Sequence, residues 1–323
     1  VDRPTVGLRV LAHFVPGPKV SDFVAPESDW LDIRWCAADD DATFRRELTE
    51  AQVIWHVLRP LTGEELRSGP RLRLVHKFGV GINTIDVDTA TDCGIAVANM
   101  PGANAASVAE GTVLLMLAVL RRLLPLDRST RAGRGWPTDP DLGERCRDIG
   151  GCTVGLVGYG SIAQRVAAMV AAMGAGVLHT STRDDGRPGW RPLPELLTQA
   201  DVVSLHVPLT EATEGLIDRT GLQRMKPDAV LINTSRGGVV DEPALVEALS
   251  TGRLAGAGLD VFAVEPVGAD NPLLVLDNVV LTPHVSWYTA DTMRRYLTAA
   301  VDNCRRLRDG QPLTHVVNQP TGC

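Results

Sequence analysis

Lysine is nearly missing from this chain of 323 residues: Lys19, Lys77 and Lys226 are the only three, and arginine supplies the other cations. The net charge is -7 and the isoelectric point lies near 5.5. The basic footprint that nucleic-acid binders show first is therefore absent, and a nucleic-acid partner is excluded. We read the arginine bias as compositional. The six cysteines (Cys36, Cys93, Cys146, Cys152, Cys304 and Cys323) make no CxxC pair and no ligand cluster. Reduced thiols and no bound metal are the expectation. No apolar run has the length of a membrane span, and the stretch "VDRPTVGLRVLAHF" lacks the basic region, apolar run and cleavage site of a signal peptide. A cytoplasmic protein without a membrane partner is expected. Internal repeats and low-complexity segments are also lacking.

What remains is a globular composition, 44% hydrophobic and 22% charged, at a length that suits two domains. Val6 to Val15, Val53 to Leu58 and Leu72 to Val75 are strand-like runs, the last leading into the loop Phe78-Gly79-Val80-Gly81. Strands alternating with helical intervals predict a small parallel α/β unit. After the turn Asn99 to Asn104, the periodicity predicts one long buried helix over Ala105 to Leu124, and the polar, arginine-rich stretch Arg128 to Gly151 predicts a loop or arm.

The second unit carries the chemistry. Apolar runs end in turn at Gly158, Ser181, His206, Asn233, Asp260 and Pro283-His284. In a doubly wound sheet, ligands bind beyond the carboxyl ends of the parallel strands, where these polar residues gather. Gly158-Tyr159-Gly160-Ser161-Ile162-Ala163 fits GxGxx(G/A) between a strand and a helix. The first glycine permits the tight turn, the second lets backbone approach a pyrophosphate, and the helix N-terminus offers free N-H groups to the phosphates.

Arg236, Glu265 and His284 follow at later strand ends. An arginine fork binds a carboxylate and polarises the carbonyl beside it. A histidine exchanges protons near neutrality, and an adjacent carboxylate orients its ring. Any one of these residues is ordinarily structural; the three together are what reduction of a carbonyl by hydride requires.

Over most of its length, through "KFGVGINTID", "NMPGANAASVAE", "VGLVGYGSIAQRVA", "DVVSLHVPLT", "MKPDAVLINTSRGGVVDEPAL", "GLDVFAVEP" and "LTPHVS", the chain resembles the D-isomer specific 2-hydroxy acid dehydrogenase family. The resemblance implies two doubly wound parallel-sheet domains, with a Rossmann domain at 100–286 inserted in a smaller flavodoxin-like substrate domain at 1–99 and 287–323, closing about hinges near Asn99 and Ser286. It implies Arg236 as binder of the substrate carboxylate, Glu265 as partner of His284, and His284 as acid or base. Backbone at Val80 and Gly81, with Asn104, would complete the substrate site. Tyr159, with the glycine loop, would serve the cofactor. The His206-Val207-Pro208 loop and Thr213 would lie near the adenosine, Thr234 and Ser235 near the nicotinamide with Ser286, and Asp260 on its carboxamide. A homodimer embracing through the arm is implied as well. Val80 stands where phosphite-oxidising relatives carry lysine, which disfavours phosphite. Trp287 and Tyr288 stand where many relatives have small residues; shaping the substrate pocket, a subunit contact, and a packing role are the alternatives.

Ser181 occupies the place of the ribose-binding acid of NAD enzymes. With Thr182 and Arg183 it suits the 2'-phosphate of NADP, and Asp184 and Asp185 fall in the turn beyond the strand. The alternative register makes Asp184 the ribose acid and NAD the cofactor. The functional expectation is reduction of a small 2-keto acid. NAD-dependent oxidation of a D-2-hydroxy acid in a biosynthetic pathway, or a non-catalytic dinucleotide-sensing binding protein, are the alternatives.

Overall fold

The short apolar runs fold as parallel strands in a computed structural model that describes residues 7–136 and 141–320. Two units result, one taking the residues up to Asn104 together with those from Thr289 onward, the other Ala105–Tyr288. In the first, β1 (Leu8–Ala12), β2 (Leu31–Trp35), β3 (Val53–His56), β4 (Leu74–Lys77) and β5 (Ala96–Ala98) pair in the order β2-β1-β3-β4-β5. This is the flavodoxin-like order. Val6, where the sequence places the start of the first strand, lies outside the described residues. The chain returns to this unit through the helix Ala290–Arg308, whose Tyr296 packs on Phe78 with ring centroids 5.5 Å apart.

Burial in this unit has a consequence for acid stability. His13 and His76 are both buried. Burial, with the Arg59 charge adding to it, pulls His13 down to about 4, and burial pulls His76 down to about 3. Both are neutral in the fold, while the unfolded chain takes up protons below the ordinary histidine value of about 6.5. The unfolded state therefore binds more protons as pH falls from that value toward 4, and stability is lost on acidification. By pH 5 the loss amounts to about 2 kcal/mol for each histidine. Urea midpoints at pH 7.5 and pH 5 test this; a pH-independent midpoint in that window would refute it.

In the second unit β6 (Thr153–Val157), β7 (Gly176–Thr180), β8 (Val202–Leu205), β9 (Val230–Asn233), β10 (Gly256–Leu259) and β11 (Val279–Leu281) pair in the order β11-β10-β9-β8-β6-β7. Leu196, Leu205, Leu231 and Leu245 belong to one core cluster, and Met116, Leu156, Val166 and Ile232 to another. Strands covered on both faces need no polar alternation, so they read as continuous apolar runs. Because β7 and β8 flank β6, the direction of strand addition reverses at β6, and the crevice at such a switch point is where dinucleotides bind in this architecture.

Two expectations are corrected here. The helix starting at Ala105 stops at Leu120; Arg122 turns left-handed at φ 50°, and a second helix runs Leu123–Arg131. Pro125 is the physical reason. Inside a continuous helix its ring would clash with the carbonyl of Arg121, whereas the first turn of a new helix accepts it. The stretch Arg128 to Gly151 is likewise not all loop. The second helix enters it, Leu142–Arg145 and Ile149–Gly151 form helical turns, and residues 137–140 of the expected arm lie outside the described residues. No described helix is long and apolar enough to cross a membrane.

Candidate active site

Three strand ends of the second unit are laced together at the glycine loop. The Gly158 amide donates to the Thr180 carbonyl at 3.0 Å, and the His206 amide donates to that of Val157 at 2.7 Å. Gly158 sits at φ +91°, and a Cβ there would lie 2.7 Å from the His206 carbonyl oxygen, so no other residue fits. Gly160 begins the helix Ser161–Ala172 with no side-chain cap and with open space where a Cβ would stand. The uncapped N-H groups at Ser161 and Ile162 and the open approach over Gly160 fit a pyrophosphate. A nicotinamide dinucleotide is thus compatible with this loop.

Around it, Tyr159 stacks on His179 with ring centroids 3.9 Å apart, and the Arg187 guanidinium lies 5.5 Å from the Tyr159 centroid. Ser181 is the first residue past β7, and its hydroxyl donates to the Arg183 carbonyl at 2.6 Å. Thr182 and Arg183 are exposed. Both late acids lie in the turn: Asp184 accepts from the Gly186 amide at 2.9 Å, and Asp185 accepts from the Arg187 amide at 3.1 Å and pairs with His179 Nε2 at 3.2 Å. Beyond β8, burial pulls His206 down to about 4, so it is neutral near pH 7, with Nε2 2.9 Å from the Ser204 hydroxyl. Thr213 closes the loop that continues through Val207 and Pro208, donating to the Pro208 carbonyl at 2.6 Å.

At the end of β9, buried Asn233 organises the loop that carries Arg236. Its Nδ2 donates to the Arg236 carbonyl at 2.8 Å, and its Oδ1 accepts from the Ser235 amide at 3.0 Å. Thr234 Oγ1 lies 2.8 Å from Thr112 Oγ1 on the long helix. Thr112 already donates to the Val108 carbonyl at 2.7 Å, so Thr234 is the donor of the pair. Sequence reasoning missed Thr112; its one signal was a hydroxyl inside an apolar helical run.

Asp260, at the end of β10, is buried and holds the histidine loop. Oδ1 accepts from the Thr282 hydroxyl at 2.6 Å and the Val285 amide at 2.8 Å, and Oδ2 accepts from the Ser286 amide at 3.0 Å. His284 lies inside this grip at φ 56°, a left-handed conformation that costs about 1–3 kcal/mol for a residue with a side chain. Its amide donates to the Asp260 carbonyl at 2.7 Å, and Trp287 Nε1 donates to its carbonyl at 3.0 Å. The Trp287 and Tyr288 rings pack with centroids 4.9 Å apart.

His284 Nδ1 and Glu265 Oε2 are 2.7 Å apart, and the other Glu265 oxygen accepts from the Phe262 amide at 3.0 Å. Burial pushes the Glu265 carboxyl up, but the His284 hydrogen bond and charge, the Phe262 amide and the Arg236 charge outweigh it and hold it below the usual range. The structure thus brings Glu265 and His284 into contact, with the Arg236 charge felt at Glu265. Val80, Gly81 and Asn104 belong to the other unit. There Val80 is 44% exposed and its carbonyl accepts from Asn99 Nδ2 at 2.8 Å, while Asn104 ends the turn before the long helix.

Residues 113–286 match the profile of the D-isomer specific 2-hydroxyacid dehydrogenase, NAD binding domain. A glyoxylate reductase of Korarchaeum cryptofilum is 40% identical over 269 residues, which is 80% of each chain. A D-3-phosphoglycerate dehydrogenase of Mycobacterium leprae is 37% identical over 93% of this chain, which spans 57% of that longer protein. The crystal structure of the TT0316 protein from Thermus thermophilus superposes with a TM-score of 0.87 at 34% identity, covering 96% of this chain and all of the other. With the two parallel-sheet units and the glycine loop at the switch point, these likenesses establish that the chain belongs to the D-isomer specific 2-hydroxyacid dehydrogenase family of NAD(P)-dependent oxidoreductases.

Proposed function

We propose that the chain reduces a small 2-keto acid, of the size of glyoxylate or hydroxypyruvate, to the D-2-hydroxy acid, using NADP(H). The observation that carries this reading is the 2.7 Å contact between His284 Nδ1 and the ionised Glu265. When bound, the nicotinamide supplies the hydride. Arg236 binds the substrate carboxylate and draws electron density from the adjacent carbonyl. With Nδ1 engaged by Glu265, Nε2 of His284 is the nitrogen that gives its proton to the keto oxygen on reduction and recovers it on oxidation. Glu265 fixes the ring's orientation and offsets the positive charge it carries. The keto carbon gains the hydride and its oxygen the proton. Purified protein with a keto-acid panel and both reduced cofactors tests the reading; no turnover with any acid would reject it.

The preference for NADP(H) rests on the end of β7. Ser181 brings no charge to repel a 2'-phosphate, Asp184 and Asp185 are engaged within the turn, and Arg183 is an exposed cation beside it. Ser181→Asp is expected to lower the NADPH/NADH ratio of kcat/KM by about tenfold or more, since the new carboxylate repels the phosphate and accepts from ribose hydroxyls. An unchanged ratio counts against the assignment.

The proposal includes a homodimer. Leu114, Leu123, Leu124 and Trp136, exposed along one stretch of the second unit, support it as apolar surface. A light-scattering mass near twice 34.6 kDa is expected, and a monomer's mass would remove this part of the reading.

A further inference from the structure

Between β10 and the helical turn Pro272–Val275 the chain makes a long surface loop that carries Glu265. Ala263, Val264 and Pro266, which flank Glu265, are exposed, so packing alone does not explain a 2.7 Å contact with His284. One side chain outside the loop grips it at two points. Glu242 Oε2 accepts from the Ala263 amide at 2.9 Å, and Oε1 accepts from Asn271 Nδ2 at 2.9 Å. The two gripped residues bracket Glu265 on either side. Asn271 cannot trade its amide orientation without loss, because its Oδ1 accepts from the Leu273 amide at 2.9 Å.

Glu242 is itself well anchored. It opens the helix Glu242–Ser250, where the positive end of the helix dipole favours a carboxylate, and Asp241 caps that helix through the Ala244 amide at 3.0 Å. It also lies six positions after Arg236, so one segment carries the substrate-binding arginine and the grip on the Glu265 loop.

We propose that Glu242 is a positioning residue for the hydride-transfer chemistry, clamping both ends of the 263–271 loop so that Glu265 stays in register with His284. The proposal rests on the acid/base reading of Glu265 and His284, and its test separates the two. Wild type, Glu242→Ala, Glu265→Gln and the double variant are compared in the reduction of glyoxylate or hydroxypyruvate, whichever is turned over faster, across pH. Glu265→Gln is expected to lower kcat and displace the pH profile toward acid, because a carboxylate favours the protonated form of a neighbouring imidazole.

Glu242→Ala should displace the profile in the same direction and lower kcat by about tenfold, with KM changed by less than about twofold, since the loss is one of geometry at the reacting centre. The double variant should be no slower than Glu265→Gln alone. Glu242→Gln, which keeps an acceptor for the Ala263 amide but turns an N-H donor toward Asn271 Nδ2, should recover only part of the lost kcat and behave like Asn271→Ala. Should Glu242→Ala fail to fold, Asn271→Ala releases the other end of the clamp and is expected to move the profile the same way. A profile that moves with Glu265→Gln but not when the clamp is released overturns the clamp alone, as does a double variant whose losses multiply. A profile that stays in place with Glu265→Gln overturns the acid/base reading and the clamp with it.

Discussion

Gly237→Ala is expected to leave little folded, active protein. A Cβ at that position would lie 1.9 Å from both the carbonyl carbon and the oxygen of Phe262, and 2.5 Å from the Ala263 nitrogen. These are backbone atoms, so no rotamer change relieves the overlap; the loop of Arg236 and the loop of Glu265 must move apart. Overpacking of this kind costs about 1–3 kcal/mol where side chains can adjust, and more where only backbone can move. The displacement would also separate Arg236 from Glu265, so activity should fall further than stability does. Gly143→Ala is the control, since a Cβ at Gly143 would meet nothing within 4 Å. Thermal midpoint and turnover, measured on both variants, decide the matter: wild-type values for Gly237→Ala would show that the close approach is not a constraint.

His284→Asn should cost turnover without costing the fold. Removal of a general acid/base is worth about 10²–10⁴ in rate. Asparagine tolerates the left-handed region better than most residues, so the φ of 56° is kept and the thermal midpoint should hold or rise. Alanine would confound the two effects, since it has no comparable tolerance for that backbone. Turnover within about tenfold of wild type would remove His284 from the chemistry.

Much of this was legible in the sequence for a physical reason. Strands buried on both faces are written as continuous apolar runs, so β6, β8, β9 and β10 could be read by where each run stops, and the stopping residues are the ones that carry polar groups at the carboxyl ends of the strands. Gly158 was legible because its backbone conformation excludes other residues. The break at Arg122 was missed although Pro125 signals it, because arginine is a good helix former and the left-handed turn between the two helices belongs to the chain around it. The helical turns after Arg128 were hidden by a composition that reads as loop. Glu242 was hidden in another way: an acid in a helix's first turn looks like a dipole or capping residue, and only the fold shows that its oxygens reach Ala263 and Asn271. Asp260 was noticed as chemistry, while its grip on the Val285 and Ser286 amides depends on how β10 and β11 are paired.

The position of Ser181 bears on how such a protein changes over time. It stands one residue past the edge strand β7, its side chain turned to a neighbouring carbonyl and supporting no core residue, while the glycine loop beside it is locked at Gly158 by backbone contacts that leave no room for a side chain. On the reading proposed for Ser181, the loop that would grip the dinucleotide and the residue that would distinguish one dinucleotide from another are neighbours but mechanically independent. On that reading, a change of electron source needs a substitution at one position past the strand end and leaves the glycine loop and the core as they are.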